Sequence, residues 1–200
     1  MKVAVVAGSH RAEAESARVG RYIEKGLSSL GAATYFLSLS NNPLPLWDEG
    51  VWGGDERWKS IWSPIAAELK SSDAIVVVTP EWGGMVPAGL KNFFLLCGSG
   101  ELAHKPGLII AVSSGIGGSY PVNELRTSSY KNTRLCYIPD HVIVRNVGSM
   151  LKGDSPADDH DKSTRERINY SLKVLIQYGK GLKAVRESGV VDYEHFPFGM

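Results

Sequence analysis

Three short segments rich in glycine and hydroxyl groups carry the residue types from which a site for a flat, phosphorylated ligand is built. The first is Gly8-Ser9-His10-Arg11-Ala12-Glu13-Ala14-Glu15-Ser16. Glycine permits a tight turn, Ser9 and Ser16 bring hydroxyl donors, and Arg11 brings a planar fork of N–H groups. Together with the N–H groups of a helix start these suit a phosphate monoester. His10 is near enough to add a donor, whereas Glu13 and Glu15 fit an anion site only if they face away. The GxxxxGKS/T pattern is absent, which argues against a P-loop nucleotidase. The alternative for this segment is an ordinary strand-to-helix turn.

The second segment is Pro80-Glu81-Trp82-Gly83-Gly84-Met85-Val86-Pro87. Its successive glycines let a flat ligand approach the backbone, and Trp82 offers an aromatic face. The third is Ser113-Ser114-Gly115-Ile116-Gly117-Gly118-Ser119-Tyr120. One such loop is a turn; three on the same edge of a sheet make a site.

Regular alternation of strands and helices is what would place them on one edge. Val3–Ala7 is a β-branched run that fits a strand buried on both faces. Val19, Tyr22, Ile23, Leu27 and Leu30 then mark one face of a helix, with Gly31 at the position of a terminating glycine. Thr34–Leu39 reads as a second strand and Ala74–Thr79 as a third, separated by an amphipathic face of Trp58, Ile61, Trp62, Ile65 and Leu69. Ser63-Pro64 is expected to restart that helix. Pro87 opens a helix to Leu96, and Leu108–Val112 is a fourth strand. A helix over Val122–Arg134 and a fifth strand over Val142–Val147 follow. The last helix is expected to start at the capping box Ser163-Thr164-Arg165-Glu166 and to bury Ile168, Leu172, Leu175, Ile176 and Leu182. Such alternation predicts an α/β fold with a parallel sheet and helices on both faces. Ligands in that architecture bind beyond the carboxyl ends of the strands, where the three loops fall.

Composition narrows the class. The chain has 200 residues, with 22 Lys+Arg against 21 Asp+Glu and a net charge of +1. That near balance argues against a nucleic-acid partner, and a chain this long buries about 70% of its unfolded surface without disulfides. The only cysteines, Cys97 and Cys136, form no CxxC pair and read as small buried apolar residues. The Val3–Ala7 run is too short for a signal peptide, and no apolar stretch reaches the roughly 18 residues of a membrane span. A cytoplasmic chain with neither membrane nor nucleic acid as partner is the expectation.

Other patterns mimic sites. Gly98-Ser99-Gly100-Glu101-Leu102-Ala103 matches the GxGxxA dinucleotide fingerprint but follows a helix, so its required context fails. Asp154, Asp158, Asp159, His160 and Asp161 read as a solvated loop before a helix N-terminus, not as a metal site. His141 is expected to be structural or solvent-facing. No GxSxG elbow supports a serine hydrolase.

On the residues of the three loops the sequence resembles the NADPH-dependent FMN reductases of the flavodoxin-like superfamily, which include azoreductase-like and quinone- or chromate-reducing members. The marks are Gly8-Ser9 with Arg11, the Pro80-Glu81-Trp82 loop running into Pro87-Ala88-Gly89-Leu90-Lys91-Asn92, the Ser113–Gly118 loop, and Leu44-Pro45-Leu46-Trp47-Asp48. The resemblance implies a flavodoxin-like three-layer sandwich whose five-stranded parallel sheet has the order 2-1-3-4-5. Residues 1–185 would form the FMN-binding domain, leaving an aromatic tail at 186–200 that is expected to pack on something, another subunit being one candidate. Ser9, His10, Arg11 and Ser16 would grip the FMN phosphate. Pro80, Glu81, Trp82, Gly83 and Gly84 would lie along the isoalloxazine and ribityl. Ser113, Gly115, Gly117 and Gly118 would line the polar edge of the ring. Two departures stand out: Ala14 replaces a frequent serine, and Trp82-Gly83 replaces Tyr-Asn.

The implied activity is an NAD(P)H-dependent oxidoreductase. Hydride passes from NADPH or NADH to FMN, and a small-molecule electron acceptor (flavin, quinone, azo compound or metal oxyanion) then takes the electrons in a ping-pong cycle. No protein group need act as general acid or base, because the chemistry sits on the cofactor. Arg11, Arg18, Arg126 and Arg145 are the candidates for a nicotinamide 2′-phosphate. The exposed edge, the Asn41–Asp55 segment and the tail point to a homodimer or homotetramer. Rival readings are a flavodoxin-like electron carrier, or flavin-delivery protein, that meets a protein partner, and a cofactor-free α/β binding module.

Overall fold

The apolar runs pair as five parallel strands: β1 (Lys2–Ala7), β2 (Ala33–Ser38), β3 (Ala74–Pro80), β4 (Pro106–Val112) and β5 (Cys136–Val144). The computed structural model, which describes residues 1–98 and 100–199, places them in the order β2-β1-β3-β4-β5, as expected. The helices are α1 (Glu15–Ser29), α2 (Gly50–Gly53), α3 (Glu56–Ser71), α4 (Ala88–Leu96), α5 (Ser119–Ser128) and α6 (Asp159–Glu187). Alternate strand residues point to opposite faces. Ala4, Val6, Ile75, Val77, Ile109 and Ala111 therefore pack under α3, α4 and α5, through Trp58, Trp62, Phe93 and Leu125. Their neighbours Val3, Val5, Val76, Val78, Leu108 and Ile110 pack under α1 and α6, through Val19, Ile23, Ile168 and Leu172. Each fully buried Val, Leu or Ile contributes about 1.5–3 kcal/mol. Two apolar faces per strand are thus what hold the central strands in register.

Strand order reverses at β1, whose neighbours are β2 and β3. The crevice at the carboxyl ends of β1 and β3 is the switch point of such a sheet. α1 ends as the sequence predicts. Gly31 adopts φ +80°, its N–H donates to Ser28 at 3.0 Å, and the N–H of Ala32 donates to Leu27 at 3.0 Å, a full Schellman cap.

Four boundaries differ from the sequence reading, each for a local reason. α3 runs unbroken through Pro64, because Asp55 caps its start by accepting the Arg57 N–H at 2.8 Å. Pro64 and Ser60 are exposed, so water can satisfy the carbonyl that Pro64 leaves unpaired. α5 begins at Ser119, directly behind the left-handed Gly118, and stops at Ser128. β5 begins at Cys136 and ends at Val144. It contains Pro139, which the register tolerates because the pairing shifts between Gly107 and Ile109 and β5 is an edge strand. α6 starts one turn before the expected capping box, at Asp159, with the Asp158 carboxylate accepting the Asp161 N–H at 2.7 Å.

Asp161 is therefore not part of a solvated loop. It is fully buried, accepts the N–H groups of Leu151 at 2.9 Å and Ala157 at 3.0 Å, and pairs with Arg165 at 3.1 Å. Of the two free thiols, Cys97 is buried as expected and Cys136 only half-buried. Burial pushes the Asp161 carboxyl up, but the two N–H groups and Arg165 outweigh it and hold it below the usual value. A carboxyl with a depressed folded pKa stabilises the fold fully above its unfolded value of about 4 and loses that contribution as pH falls through the folded value. Asp161→Ala is accordingly expected to lower stability in urea at pH 7 by about 3 kcal/mol. The gap between variant and parent should narrow below about pH 4.

Candidate functional site

The three loops meet above the carboxyl ends of β1, β3 and β4. Gly8 continues the sheet, its N–H donating to Val78 at 2.8 Å, and a Cβ at Gly8 would strike Leu90 Cδ2 at 2.5 Å. Only glycine lets the first loop lie this close to α4. Ser9 is buried, and its Oγ accepts the Arg11 N–H at 3.3 Å. Arg11 is exposed, with no hydrogen bond from its side chain among the described residues. Glu13 and Glu15 are exposed too, and Glu15 is drawn to Arg18 at 2.7 Å, along the helix surface.

α1 has the features of an anion cradle. Its N-cap is Ala14, in extended geometry, and no side chain caps the first turn. Ser16, in that turn, is 1% exposed, and its Oγ has no hydrogen-bond partner among the described residues. An unpaired buried hydroxyl costs about 1–3 kcal/mol. The Ala17 N–H already donates to the Ala14 carbonyl at 3.0 Å, so the hydroxyl and N–H of Ser16 are the donors this turn offers a ligand oxyanion, and Ala14 brings no side chain to cap them.

The second loop is a tight reversal. Trp82 and Met85 exchange both backbone hydrogen bonds at 3.0 Å, around Gly83 at φ +56° and Gly84 at φ +75°. Two successive positive φ values make this a primed turn that favours glycine at both positions. The Trp82 ring meets His10 edge-on, with centroids 4.5 Å apart, joining the first loop to the second. His10 Nδ1 is buried without a partner among the described residues and would lie 3.3 Å from a Cβ at Gly89.

Glu81 joins the second loop to the third. Its Oε2 accepts the Gly118 N–H at 2.7 Å, and its own N–H extends the ladder to Val112 at 2.9 Å. Pro80 ends β3, in register with Val112. Gly118 sits at φ +109°, against Ile143, and Gly117 leaves room for the Glu81 carboxylate. Ser113 is buried, and its Oγ accepts the Gly115 N–H at 3.3 Å. The Gly115 carbonyl in turn accepts from Asn146 at 2.9 Å. All thirteen predicted residues thus lie on one edge, from Ser9 to Gly118. Glu81 and Ser113 spend their side chains there on loop geometry.

Sequence reasoning missed several residues of this edge. Tyr120 is 69% exposed, its ring 3.9 Å from where a Cβ on Gly84 would stand; Met85 and Ile116 are also exposed. Glu124 accepts the Val86 N–H at 2.7 Å and pairs with Lys91, fixing the second loop to α4 and α5. Burial raises the Glu124 carboxyl, but the Lys91 hydrogen bond and the Val86 N–H more than offset it and hold it below the usual range. Asn92 is buried in α4, with Oδ1 accepting the Trp47 N–H at 2.7 Å and Nδ2 donating to Pro45 at 2.7 Å. A buried asparagine in an apolar helix was the signal for that anchor.

Three of the four candidate arginines are committed elsewhere. Arg18 bonds the Leu151 and Val147 carbonyls, Arg126 the Ile138 and Pro139 carbonyls, and Arg145 the Ile116 carbonyl. His141 is exposed on β5. The GxGxxA match follows α4, not a strand, and its Ser99 lies outside the described residues.

Comparison with known proteins agrees with this geometry. Residues 1–148 match the model of a family described as NADPH-dependent FMN reductase. A quinone reductase of Pseudomonas putida is 32% identical over 126 residues, which cover 60% of this chain and 64% of that protein. An NADPH azoreductase of a Bacillus species is 27% identical over 131 residues, covering 64% of this chain and 68% of its own. The chain thus spans 64% of the quinone reductase it matches. In fold it is similar to FerB, a flavoenzyme NAD(P)H:(acceptor) oxidoreductase from Paracoccus denitrificans. The TM-score is 0.69 at 18% identity, over 90% of this chain and 97% of the other.

The Glu81 tie is directly testable. Glu81→Ala strands the Gly118 N–H and is expected to cost about 1–2 kcal/mol in urea unfolding. Gly117→Ala, which pushes the same carboxylate aside, should fall in the same direction.

Proposed function

The chain belongs to the NADPH-dependent FMN reductase family, and from that premise we propose that it is an enzyme that holds FMN across the three loops and reduces a small flat acceptor with NADPH. The observation that carries this reading is the uncapped first turn of α1, with its buried Ser16 hydroxyl unpartnered among the described residues, on the same β1–α1 segment as Ser9 and Arg11. These residues present hydroxyl, guanidinium and backbone N–H donors together, the set that a phosphate monoester requires. The chemistry supplied by bound FMN is acceptance of hydride from the nicotinamide and return of two electrons to the acceptor.

The protein's own part is placement. Gly83 and Gly84 keep the second loop free of side chains, so that a ring can lie against the backbone, and their N–H groups are positioned to favour negative charge on its edge. His10 and Trp82 brace that loop from the side of β1. Tyr120, Met85 and Ile116 form an apolar rim against which the nicotinamide and the acceptor dock in turn, giving ping-pong kinetics. Glu81 and Glu124 each accept a backbone N–H, so both carboxylates hold loop geometry at this edge. Arg11, whose side chain has no partner among the described residues, is exposed and so free to turn its guanidinium onto the FMN phosphate.

We propose further that the chain works in the cytoplasm as a homodimer or homotetramer, without nucleic acid or membrane. No helix among the described residues is long and apolar enough to cross a membrane. Leu46, Trp52, Met85, Ile116 and Tyr120, all well exposed, follow the carboxyl ends of β2, β3 and β4, a concentration that suits a subunit boundary beside the flavin. Sedimentation velocity on the flavin-loaded protein should show a dimer or tetramer; a monomer at tens of micromolar would contradict it.

The functional reading is tested by adding FMN, removing the excess, and adding NADPH without oxygen. Retained absorbance that bleaches establishes the reductive half-reaction, and parallel double-reciprocal plots with a quinone or azo acceptor establish the ping-pong order. Flavin retained but not bleached would favour an electron carrier, and no binding on direct titration would favour the cofactor-free module. Ser16→Ala and Arg11→Ala should each weaken FMN about tenfold while leaving riboflavin affinity unchanged, because a charge-assisted bond to the phosphate is what each removes.

A further inference from the structure

The opposite end of the sheet holds a second concavity. Lys70 near the end of α3, Lys105 just before β4 and Arg186 in the last turn of α6 line a cavity of about 260 Å³, which Tyr193 and Val191 of the chain's final segment wall in. We propose that this cavity is a binding site for a small free oxyanion of the phosphate or sulfate class, separate from the three-loop edge. The proposal does not depend on the flavin reading.

Charge is the first support. Lys70, Lys105, Arg134 and Arg186 surround the region, against the carboxylates of Glu101 and Asp73. Asp192 and Glu194 flank Tyr193 in the sequence, so what the cavity offers an anion is the convergence of Lys70, Lys105 and Arg186 and not a net surplus of charge. Burial first, and then Arg186, pull the Lys105 ammonium down to about 8; burial, Arg134 and Arg186 lower the His104 imidazole. Burial is the larger cause in both, with the neighbouring guanidinium groups adding to it, and Lys105 still carries its proton at pH 7.

Donor accounting is the second support. Lys105 is 4% exposed and donates to the carbonyls of Leu69 at 2.7 Å and Lys70 at 2.8 Å, so one of its three protons is unspent. Arg186 donates to the His104 carbonyl at 3.0 Å and to Asp73 at 3.4 Å, leaving further N–H groups of its fork. The Arg134 guanidinium lies 4.7 Å from the centre of the Tyr193 ring, and its Nη1 is buried without a partner among the described residues.

Size and closure select the ligand. Sites for drug-sized molecules run to roughly 300–1,000 Å³, so this cavity suits a compact anion. The final segment is fastened across it by stacking of Tyr193 on His104 and by the bond from Arg134 to the Phe196 carbonyl. Lys70 and Lys105 lie within residues 1–148, whereas Arg186, Val191 and Tyr193, which complete the cavity, lie beyond the part matched by the family model.

The test is a titration of the FMN-free chain with inorganic phosphate at constant ionic strength, followed by backbone amide NMR. Saturable shifts at residues near 70, 100–105 and 186–193 are expected, with sulfate competing. A separate set near residues 9–17 would report the three-loop edge and vanish when FMN is added. Shifts confined to that first edge, or linear shifts without saturation, would overturn the proposal. Lys70→Gln, at a side chain that is largely exposed, should leave the fold intact and weaken phosphate about fivefold at the amino end alone. An affinity there unchanged by Lys70→Gln would overturn the proposal as well.

Discussion

Glu81 spends its carboxylate on the N–H of Gly118, 2.7 Å away, and so binds the loop that leaves β3 to the start of the helix that follows β4. A carboxylate bonded to a helix N-terminus is favoured by both charge and direction. Around that bond each neighbouring choice is constrained. Gly117 has no side chain because the carboxylate occupies that space, and residue 118 is glycine both because its φ is +109° and because a Cβ would collide with Ile143. The Trp82–Met85 turn can then be tight, since its base is already fixed and His10 closes it from the other side. Three loops that would be independently mobile are held as one edge by two contacts, Glu81 with Gly118 and His10 with Trp82.

Much of this was legible in the residues. β1, β3 and β4 are uninterrupted apolar runs, and a strand buried on both faces has no other way to be written. The place of Ser16 in the first turn of a helix was legible because the apolar stripe from Val19 to Leu30 starts directly after it. What the sequence concealed lay where long-range contacts override local pattern. β5 was placed six residues late at its start because Pro139 and Asp140 interrupt it, and only the shifted pairing opposite Leu108 shows how an edge strand accommodates them. Pro64 looked like a helix start, yet α3 continues because Trp58, Trp62, Ala66 and Leu69 form one buried stripe across it. Asp161 looked like solvated charge in a run of acids. Its burial depends on Leu151 and Ala157 bringing their N–H groups to it, which no spacing rule reveals.

The two ends of the sheet use opposite devices for the same problem, the polar groups left where strands and helices stop. At the carboxyl ends, backbone N–H groups and glycines dominate, and the cations Arg18, Lys91 and Arg145 are already bonded to carbonyls or a carboxylate. At the amino ends, long side chains do the work. Lys105 caps the carbonyls that end α3, and Arg186 reaches the His104 carbonyl. Cations at helix C-termini are favoured by the helix dipole as carboxylates are at N-termini. A parallel α/β sheet thereby becomes chemically polar end to end, although its net charge is nearly zero.

The irregular pairing of β5 bears on how the molecule behaves in a crowd. An edge strand with an unbroken row of N–H groups is a template on which another chain can lay a strand. Pro139 removes one donor from that row, and Asp140 beside it is paired with Arg167. A neighbour attempting to extend the sheet here meets a missing rung and a desolvation cost together. Growth of the sheet into cross-β aggregates is thus obstructed at this edge, and copies of the chain are left to associate through side-chain surfaces.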